Sequence, residues 1–236
     1  MRSLELPVAI LSGGLATRLR PATETIPKAL LPVAGRPFLA HQLDLLQKCG
    51  VRSVVLCVGY LGERIREALP DGKPWGMTLQ YSFDGPMLLG TGGAVRQALP
   101  LLGEKFFVLY GDSYLPTDYG AVAEAFVQSG KPALMTVFRN EGKWDTSNVE
   151  FRDSRIVAYD KRRRTDEMQH IDYGLSALTP RAFAGLETKV PLDLAEVFQK
   201  LVAMEELAGY EVHERFYEAG SPAGLKELEA LLGKRP

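Results

Sequence analysis

Ser12–Pro37, SGGLATRLRPATETIPKALLPVAGRP, is the stretch that decides how this 236-residue chain is read. It follows Val8-Ala9-Ile10-Leu11, an apolar run short enough to be a buried strand. Gly13 and Gly14 open a long polar loop that carries Arg18, Arg20 and Lys28. The loop closes at Pro37, where an amphipathic helix can begin with proline at its first position. A strand that runs into a glycine-rich, cationic loop suits phosphate. Glycine lets backbone N–H groups approach the oxygens, and the cations supply the opposing charge. A nucleoside triphosphate is the expected occupant, although the glycine pair alone also fits an ordinary surface loop.

Downstream, strands and helices alternate. Pro37–Lys48 reads as a helix and Ser53–Val58 as a strand buried on both faces. Leu61–Leu69 is a short helix, Thr78–Phe83 an alternating strand, and Gly90–Leu99 a glycine-initiated helix. Phe106–Tyr110 is a buried strand, Asp118–Gln128 a helix and Ala133–Phe138 a strand. This alternation predicts a mostly parallel sheet with helices on both faces. After Arg139 the texture changes to a hairpin (Val149–Phe151 with Arg155–Tyr159) and a strand at Gln169–Leu178. A helix at Leu192–Ala203, a strand at Glu211–Phe216 and a last helix over Ser221–Leu232 follow. The expected fold is α/β, a three-layer α/β/α Rossmann-like arrangement around a mixed, mostly parallel central sheet. No Ser/Gly linker or repeat interrupts it, so residues 1–236 are expected to form one domain. Its two parts are about 1–139 and 140–236.

The totals remove several classes of function. Lys plus Arg number 28 against 29 Asp plus Glu, a net charge of −1, so no general attraction to nucleic acid or anionic lipid is expected. No apolar stretch approaches the ~20 residues needed to span a bilayer. The start, MRSLELPVAIL, lacks a signal-peptide pattern. Cys49 and Cys57 read as reduced core residues, so the cytoplasm is the expected compartment. His41, His170 and His213 have no partners at metal-ligand spacing.

Neither the dinucleotide fingerprint nor the P-loop spacing fits GGLATRLRP. The longer string, G-G-x-x-T-R-L-x-P-x-T followed by P-K-x-L-x-P-V-x-G-x-P, resembles the signature of the sugar-1-phosphate nucleotidyltransferases. Gly90-Thr91-Gly92-Gly93-Ala94 extends the likeness, as does Tyr110-Gly111-Asp112-Ser113 at a strand end. Alone, the first is a tight helix start, and the carboxylate of the second is either a helix cap or a metal ligand. In the second half, Thr146-Ser147-Asn148, Tyr159-Asp160-Lys161 and Asp172-Tyr173-Gly174 are similar to the family's acceptor wall. Glu218-Ala219-Gly220-Ser221-Pro222 stands where relatives carry an aspartate.

The resemblance implies that Arg18, Lys28, Asp112 and Lys161 carry the chemistry. By the same likeness Leu11, Gly13, Gly14, Thr17, Gly90, Thr91, Gly92 and Gly111 hold the nucleotide. Asn148, Tyr173 and Gly174 would hold the sugar, and Asp112 with Glu218 would hold Mg²⁺. The implied partners are a nucleoside triphosphate and a sugar 1-phosphate, with no nucleic acid and no membrane; self-association is left open. Within the family the L-G-T-G-G-A string is most similar to guanylyltransferases for mannose-type or manno-heptose 1-phosphates. Uridylyltransferases for amino sugars come next, and a non-catalytic paralogue that senses nucleotide-sugars is a further alternative. Ala16 stands where the family usually has glycine, at a cost that depends on the sign of its φ.

Overall fold

The structure is a computed structural model that describes residues 6–186 and 191–233; the sequence reading of Met1–Glu5 lies outside them. In chain order the first elements are β1 (Val8–Leu11), β2 (Pro32–Val33), β3 (Arg36–Pro37), α1 (Phe38–Lys48), β4 (Ser53–Val58), α2 (Gly62–Ala68) and β5 (Thr78–Phe83). Next come α3 (Gly90–Leu102), β6 (Phe106–Tyr110), β7 (Ser113–Tyr114), α4 (Tyr119–Ser129) and β8 (Ala133–Arg139). The remainder is β9 (Val149–Arg152), β10 (Arg155–Tyr159), β11 (His170–Leu178), α5 (Leu194–Ala203), β12 (Leu207–Val212), β13 (Tyr217–Glu218) and α6 (Pro222–Leu232).

One sheet of nine strands, ordered β5-β4-β1-β6-β11-β8-β12-β10-β9, runs through both parts of the chain. β5, β4, β1 and β6 are mutually parallel, whereas β11 enters antiparallel beside β6 and β8. β12 returns parallel to β8, so the sheet is mixed.

The period of two along β1 sorts the layers. Val8 and Ile10 point into the cluster that holds Leu39 and Leu43 of α1, Ile65 of α2 and Phe126 of α4. Ala9, between them, faces the opposite cluster, with Val95 and Ala98 of α3 and Val197 and Phe198 of α5. The helices therefore cover both faces of the sheet, giving the three-layer α/β/α arrangement. α6 packs elsewhere, its Leu228 and Leu232 meeting Val33, Phe38 and Tyr114.

Two elements differ from their sequence reading. Pro37 has φ −53° and ψ 137°, so it caps α1 from outside instead of occupying its first turn. The strand expected at Glu211–Phe216 is instead Leu207–Val212, in register with Ala133–Phe138 of β8. Gly209 looks like a strand breaker but is required there. A Cβ on it would lie 2.6 Å from Phe151 Cε2 and 2.9 Å from Ile156 Cδ1.

Candidate active site

The parallel strands β1, β4, β5 and β6 all end at the same edge of the sheet, the edge where open α/β sheets place their ligands. Four segments emerge there: Ser12–Gly14, Gly59, Asp84 and Gly111-Asp112. Backbone bonds tie them together. Ser12 N–H donates to Cys57 O (2.8 Å), Gly111 N–H to Leu11 O (3.0 Å) and Tyr60 N–H to Gly13 O (3.2 Å). The packing leaves no room for side chains: a Cβ on Gly13 would meet Gly59 N at 2.9 Å, and one on Gly111 would meet Leu11 O at 2.3 Å.

A cavity opens above this edge. Of the residues expected to hold the nucleotide it is lined by Leu11, Gly13, Gly14, Gly90, Thr91 and Gly111, together with Lys28 and Asp112. Thr17 and Gly92 are not on its wall. Gly92 and Gly93 instead donate their N–H groups to Leu192 O (2.9 and 3.1 Å). The Thr91 hydroxyl donates to Asp193 (2.9 Å) and accepts from Leu194 N–H (2.8 Å). The glycine-rich start of α3 thus docks the segment before α5, so its polar groups are already engaged. Gly90, at φ +77°, would place a Cβ 2.5 Å from Leu192 O.

A second cavity lies beside the first and shares Tyr110 and Asp112 with it. It brings together Asn148, Lys161, Tyr173, Gly174 and Glu218, residues widely separated in sequence. Asn148 Oδ1 accepts from Asp172 N–H (3.0 Å), which fixes the hairpin against β11. The Lys161 ammonium sits 5.3 Å from the centre of the Tyr110 ring and 6.0 Å from that of Tyr159, favourable positions for a cation. Gly174 has φ +99°, a conformation L side chains rarely adopt, and its N–H bonds Asp172 Oδ1 (3.1 Å).

Between the cavities lies the charged centre. Lys28 Nζ forms an ion pair with Asp112 Oδ2 at 2.7 Å. β7 pairs antiparallel with β13, setting Glu218 opposite Ser113. A side chain added at Gly220 would lie 3.4 Å from Arg18 Nη2, 3.5 Å from Glu218 Oε2 and 3.6 Å from Asp112 Oδ2. Arg18, Asp112 and Glu218 therefore face one point. Burial pushes the Glu218 carboxyl up from its ordinary value, and the neighbouring Asp112 and Asp145 carboxylates push the same way. Arg18 and Lys28 oppose the shift. A carboxyl raised by burial and by a neighbouring carboxylate is one that a cation would relieve. Two carboxylates open to phosphate oxygens suit Mg²⁺, which keeps waters and seldom takes an all-protein cage. Among the described residues no group of three or more His, Cys, Asp and Glu forms a closed metal cage.

Ala16, off-pattern in the sequence, has φ 49° and ψ 42°, so it is left-handed and strained. Thr23 Oγ donates to its carbonyl (2.8 Å), and Tyr60 Oη donates to Glu24 O (2.9 Å), which holds the loop in place. Several cavity residues had no motif to announce them: Asp84 on the first wall, and Asp145 and Arg164 on the second. Asp172 is partly buried and its carboxyl is raised by that burial, opposed by Lys161. Two of the histidines are structural, with His41 Nε2 on Val33 O (2.8 Å) and His170 Nε2 on Glu211 (3.0 Å), and His213 is exposed.

A family model described as Nucleotidyl transferase matches residues 8–148, the part that builds the first cavity and Asp112. The chain belongs to the nucleotidyl transferase family. It is 29% identical over 226 residues to the N-acetylmuramate alpha-1-phosphate uridylyltransferase of Neisseria meningitidis serogroup B, covering 95% of this chain and 97% of that protein. It is 31% identical over 154 residues to the D-glycero-alpha-D-manno-heptose 1-phosphate guanylyltransferase of Campylobacter jejuni, covering 65% of this chain and 67% of that one. Among solved structures, HddC from Yersinia pseudotuberculosis complexed with GMP-PN superposes with a TM-score of 0.78 at 22% identity, covering 96% of this chain and 99% of that one. That likeness supports the fold.

Proposed function

We propose that this nucleotidyltransferase joins a nucleoside triphosphate to a sugar 1-phosphate, releasing pyrophosphate and an NDP-sugar. The observation that carries the reading is the pair of cavities meeting at Tyr110 and Asp112, with Lys28 on one side and Lys161 on the other. A sugar 1-phosphate is already an anion near neutral pH, so the chain needs no general base. What remains is to bring two polyanions together and to stabilise charge on the departing pyrophosphate. In this reading Gly13 and Gly14 admit the triphosphate, Lys28 turns from Asp112 to the α-phosphate, and Arg18 faces the leaving phosphates. Lys161 holds the acceptor phosphate, while Asn148, Tyr173 and Gly174 contact the sugar. Mg²⁺ on Asp112 and Glu218 would supply neutralisation of the phosphate charge. In this reading the two parts of the chain act as one domain, and the cytoplasm is its expected compartment. No described helix is long and apolar enough to cross a membrane.

Guanylyl transfer to a mannose-type or manno-heptose 1-phosphate is the finer reading, in keeping with the heptose 1-phosphate relative and the L-G-T-G-G-A string. Uridylyl transfer to an amino sugar 1-phosphate is the second, favoured by the relative that matches along nearly its whole length. Pyrophosphate release across four nucleoside triphosphates and a panel of sugar 1-phosphates tests both. Lys28→Ala and Asp112→Ala are each expected to cut turnover by at least about 100-fold in an intact fold. Wild-type turnover in either variant would overturn the mechanism.

A further inference from the structure

We propose that Asn140 is a positioning residue for the acceptor: its buried side-chain amide folds segment 141–147 into the wall that faces the second cavity. The proposal rests on the nucleotidyl-transfer reading, since it takes a sugar 1-phosphate as the occupant of that cavity.

The segment has little else to hold its shape. It links β8 to β9, and residues 141–146 are all exposed. Glu141 and Gly142 both have positive φ, 49° and 70°, so the chain reverses sharply on leaving β8. Its one large apolar side chain, Trp144, is 47% exposed and rests on Arg215 instead of entering a core. A turn of this kind keeps a single shape only where its polar groups are bound from within.

Asn140 supplies those bonds. It follows β8 and is fully buried. Its Nδ2 group donates to the Asp145 carbonyl and to Ser147 Oγ (3.2 Å), and its Oδ1 accepts from Trp144 N–H (3.2 Å). Both amide donors and the amide oxygen are thus used, each on a different residue of the segment. The partners also fix which way the amide faces, since a flipped group would set its N–H against that of Trp144. The far end of the segment is held separately. Asn148 N–H donates to His170 O (2.9 Å), and its carbonyl accepts from Asp160 N–H (3.0 Å). The Asn140 side chain therefore sets the course of the chain between two fixed ends.

What the segment carries ties it to the site. Asp145 and Thr146 stand on the second cavity with Lys161 and Gly174. The Asp145 carboxylate is among the charges that raise Glu218, an independent sign that it faces the charged centre. Its Oδ1 accepts from Thr146 N–H (2.6 Å), which gives the carboxylate one orientation. A carboxylate and a hydroxyl on that wall suit the hydroxyl groups of a sugar. Loosening the segment displaces both, yet leaves the first cavity alone, because its wall comes from residues 11–112. The effect of losing the amide is therefore one-sided.

The test is Asn140→Ala beside Asn140→Asp. Alanine removes all three side-chain bonds. Aspartate keeps the shape and the Trp144 bond but, once ionised, can no longer donate. The bonds from Asn140 N–H to Gln169 O (3.1 Å) and from Lys143 N–H to Asn140 O (2.9 Å) use backbone groups alone, so β8 should keep its pairing with β11. Pyrophosphate release gives KM for each substrate. Acrylamide quenching of tryptophan emission follows the segment through Trp144, since Trp75, the other tryptophan, is buried. KM for the sugar 1-phosphate should rise at least about 10-fold in both variants, with kcat and KM for the nucleotide within about 2-fold of wild type. Trp144 should become more readily quenched. An unchanged acceptor KM, an equal rise in both KM values, or loss of cooperative unfolding in both variants overturns the assignment and leaves the transfer reading standing. If the wild type releases no pyrophosphate from any pair, the transfer reading fails. Calorimetric binding of the sugar 1-phosphates then decides Asn140 alone: equal binding by wild type and variants, or no binding by the wild type, refutes it.

Discussion

Gly90→Ala should be among the costliest single-methyl additions in this chain, and its cost separates into two parts. Gly90 has φ +77°, and an added Cβ would lie 2.5 Å from Leu192 O. Placing an L residue in that backbone region costs about 1–2 kcal/mol. The carbonyl it strikes is the one that accepts from Gly92 N–H (2.9 Å) and Gly93 N–H (3.1 Å). If the carbonyl retreats, both bonds go, at about 1 kcal/mol each. The expected loss is therefore about 3–4 kcal/mol, a fall in Tm of about 6–16 °C for a chain of this size. Gly130→Ala is the matched control, since Gly130 has φ +63° and nothing within 4 Å of an added Cβ. It should lose only the backbone part. Urea unfolding of both variants, with m unchanged, measures the difference. If the two losses agree within about 0.5 kcal/mol, the contact with Leu192 contributes nothing and the docking role of the glycine motif is refuted.

Three other perturbations probe the site. Glu218→Gln should stabilise the protein in chelator at pH 8 and lose that advantage below the ordinary carboxylate range. The folded state raises this carboxyl, so its ionised form is the destabilised one and native stability falls as pH rises through the raised value. Thermal melts from pH 4 to 8 check the sign, and an advantage that grows toward acid would contradict it. Ala16→Gly relieves the left-handed strain of about 1–2 kcal/mol but adds unfolded-state freedom of about 0.4–1 kcal/mol. A net rise in Tm of a few degrees is expected, and a fall would show that the loop is not left-handed there. Trp144→Ala removes the stack on Arg215, whose guanidinium lies 3.5 Å from the Trp144 ring centre and 4.8 Å from that of Tyr217. Thermal melts should show a fall of about 1–4 °C, as the loss of a contact of about 0.5–1 kcal/mol implies, and an unchanged Tm would show that the stack contributes nothing.

Much of the architecture was legible because each buried strand announced itself by an unbroken β-rich run, as SVVLCV and FFVLY do. The Arg18–Lys28 loop was legible for a different reason: its cations and glycines lie close together in sequence, so the site's chemistry is visible before folding. Asp84 was not. It is a lone acid whose meaning comes from strand order, β5 standing at one end of a parallel set. Gly209 shows the opposite failure. Local propensity counts glycine against a strand, and only the overlying Phe151 and Ile156 reverse that preference. Ala16 carried an open question, the sign of φ, that only backbone geometry answers.

The β7–β13 ribbon has a consequence for the order in which the molecule becomes competent during synthesis. The nine-stranded sheet is complete in sequence at Val212, and the wall of the first cavity comes wholly from residues between Leu11 and Asp112. Glu218 and Gly220, which meet Arg18 and Asp112, come last of all the groups at the charged centre. The groups that line the first cavity are therefore all synthesised well before the last groups of the charged centre, although the glycine turn among them gains its partner only with Leu192. In the nucleotidyl-transfer reading, a proteolytic cut in the link from His213 to Phe216 is expected to lower turnover more than nucleotide binding.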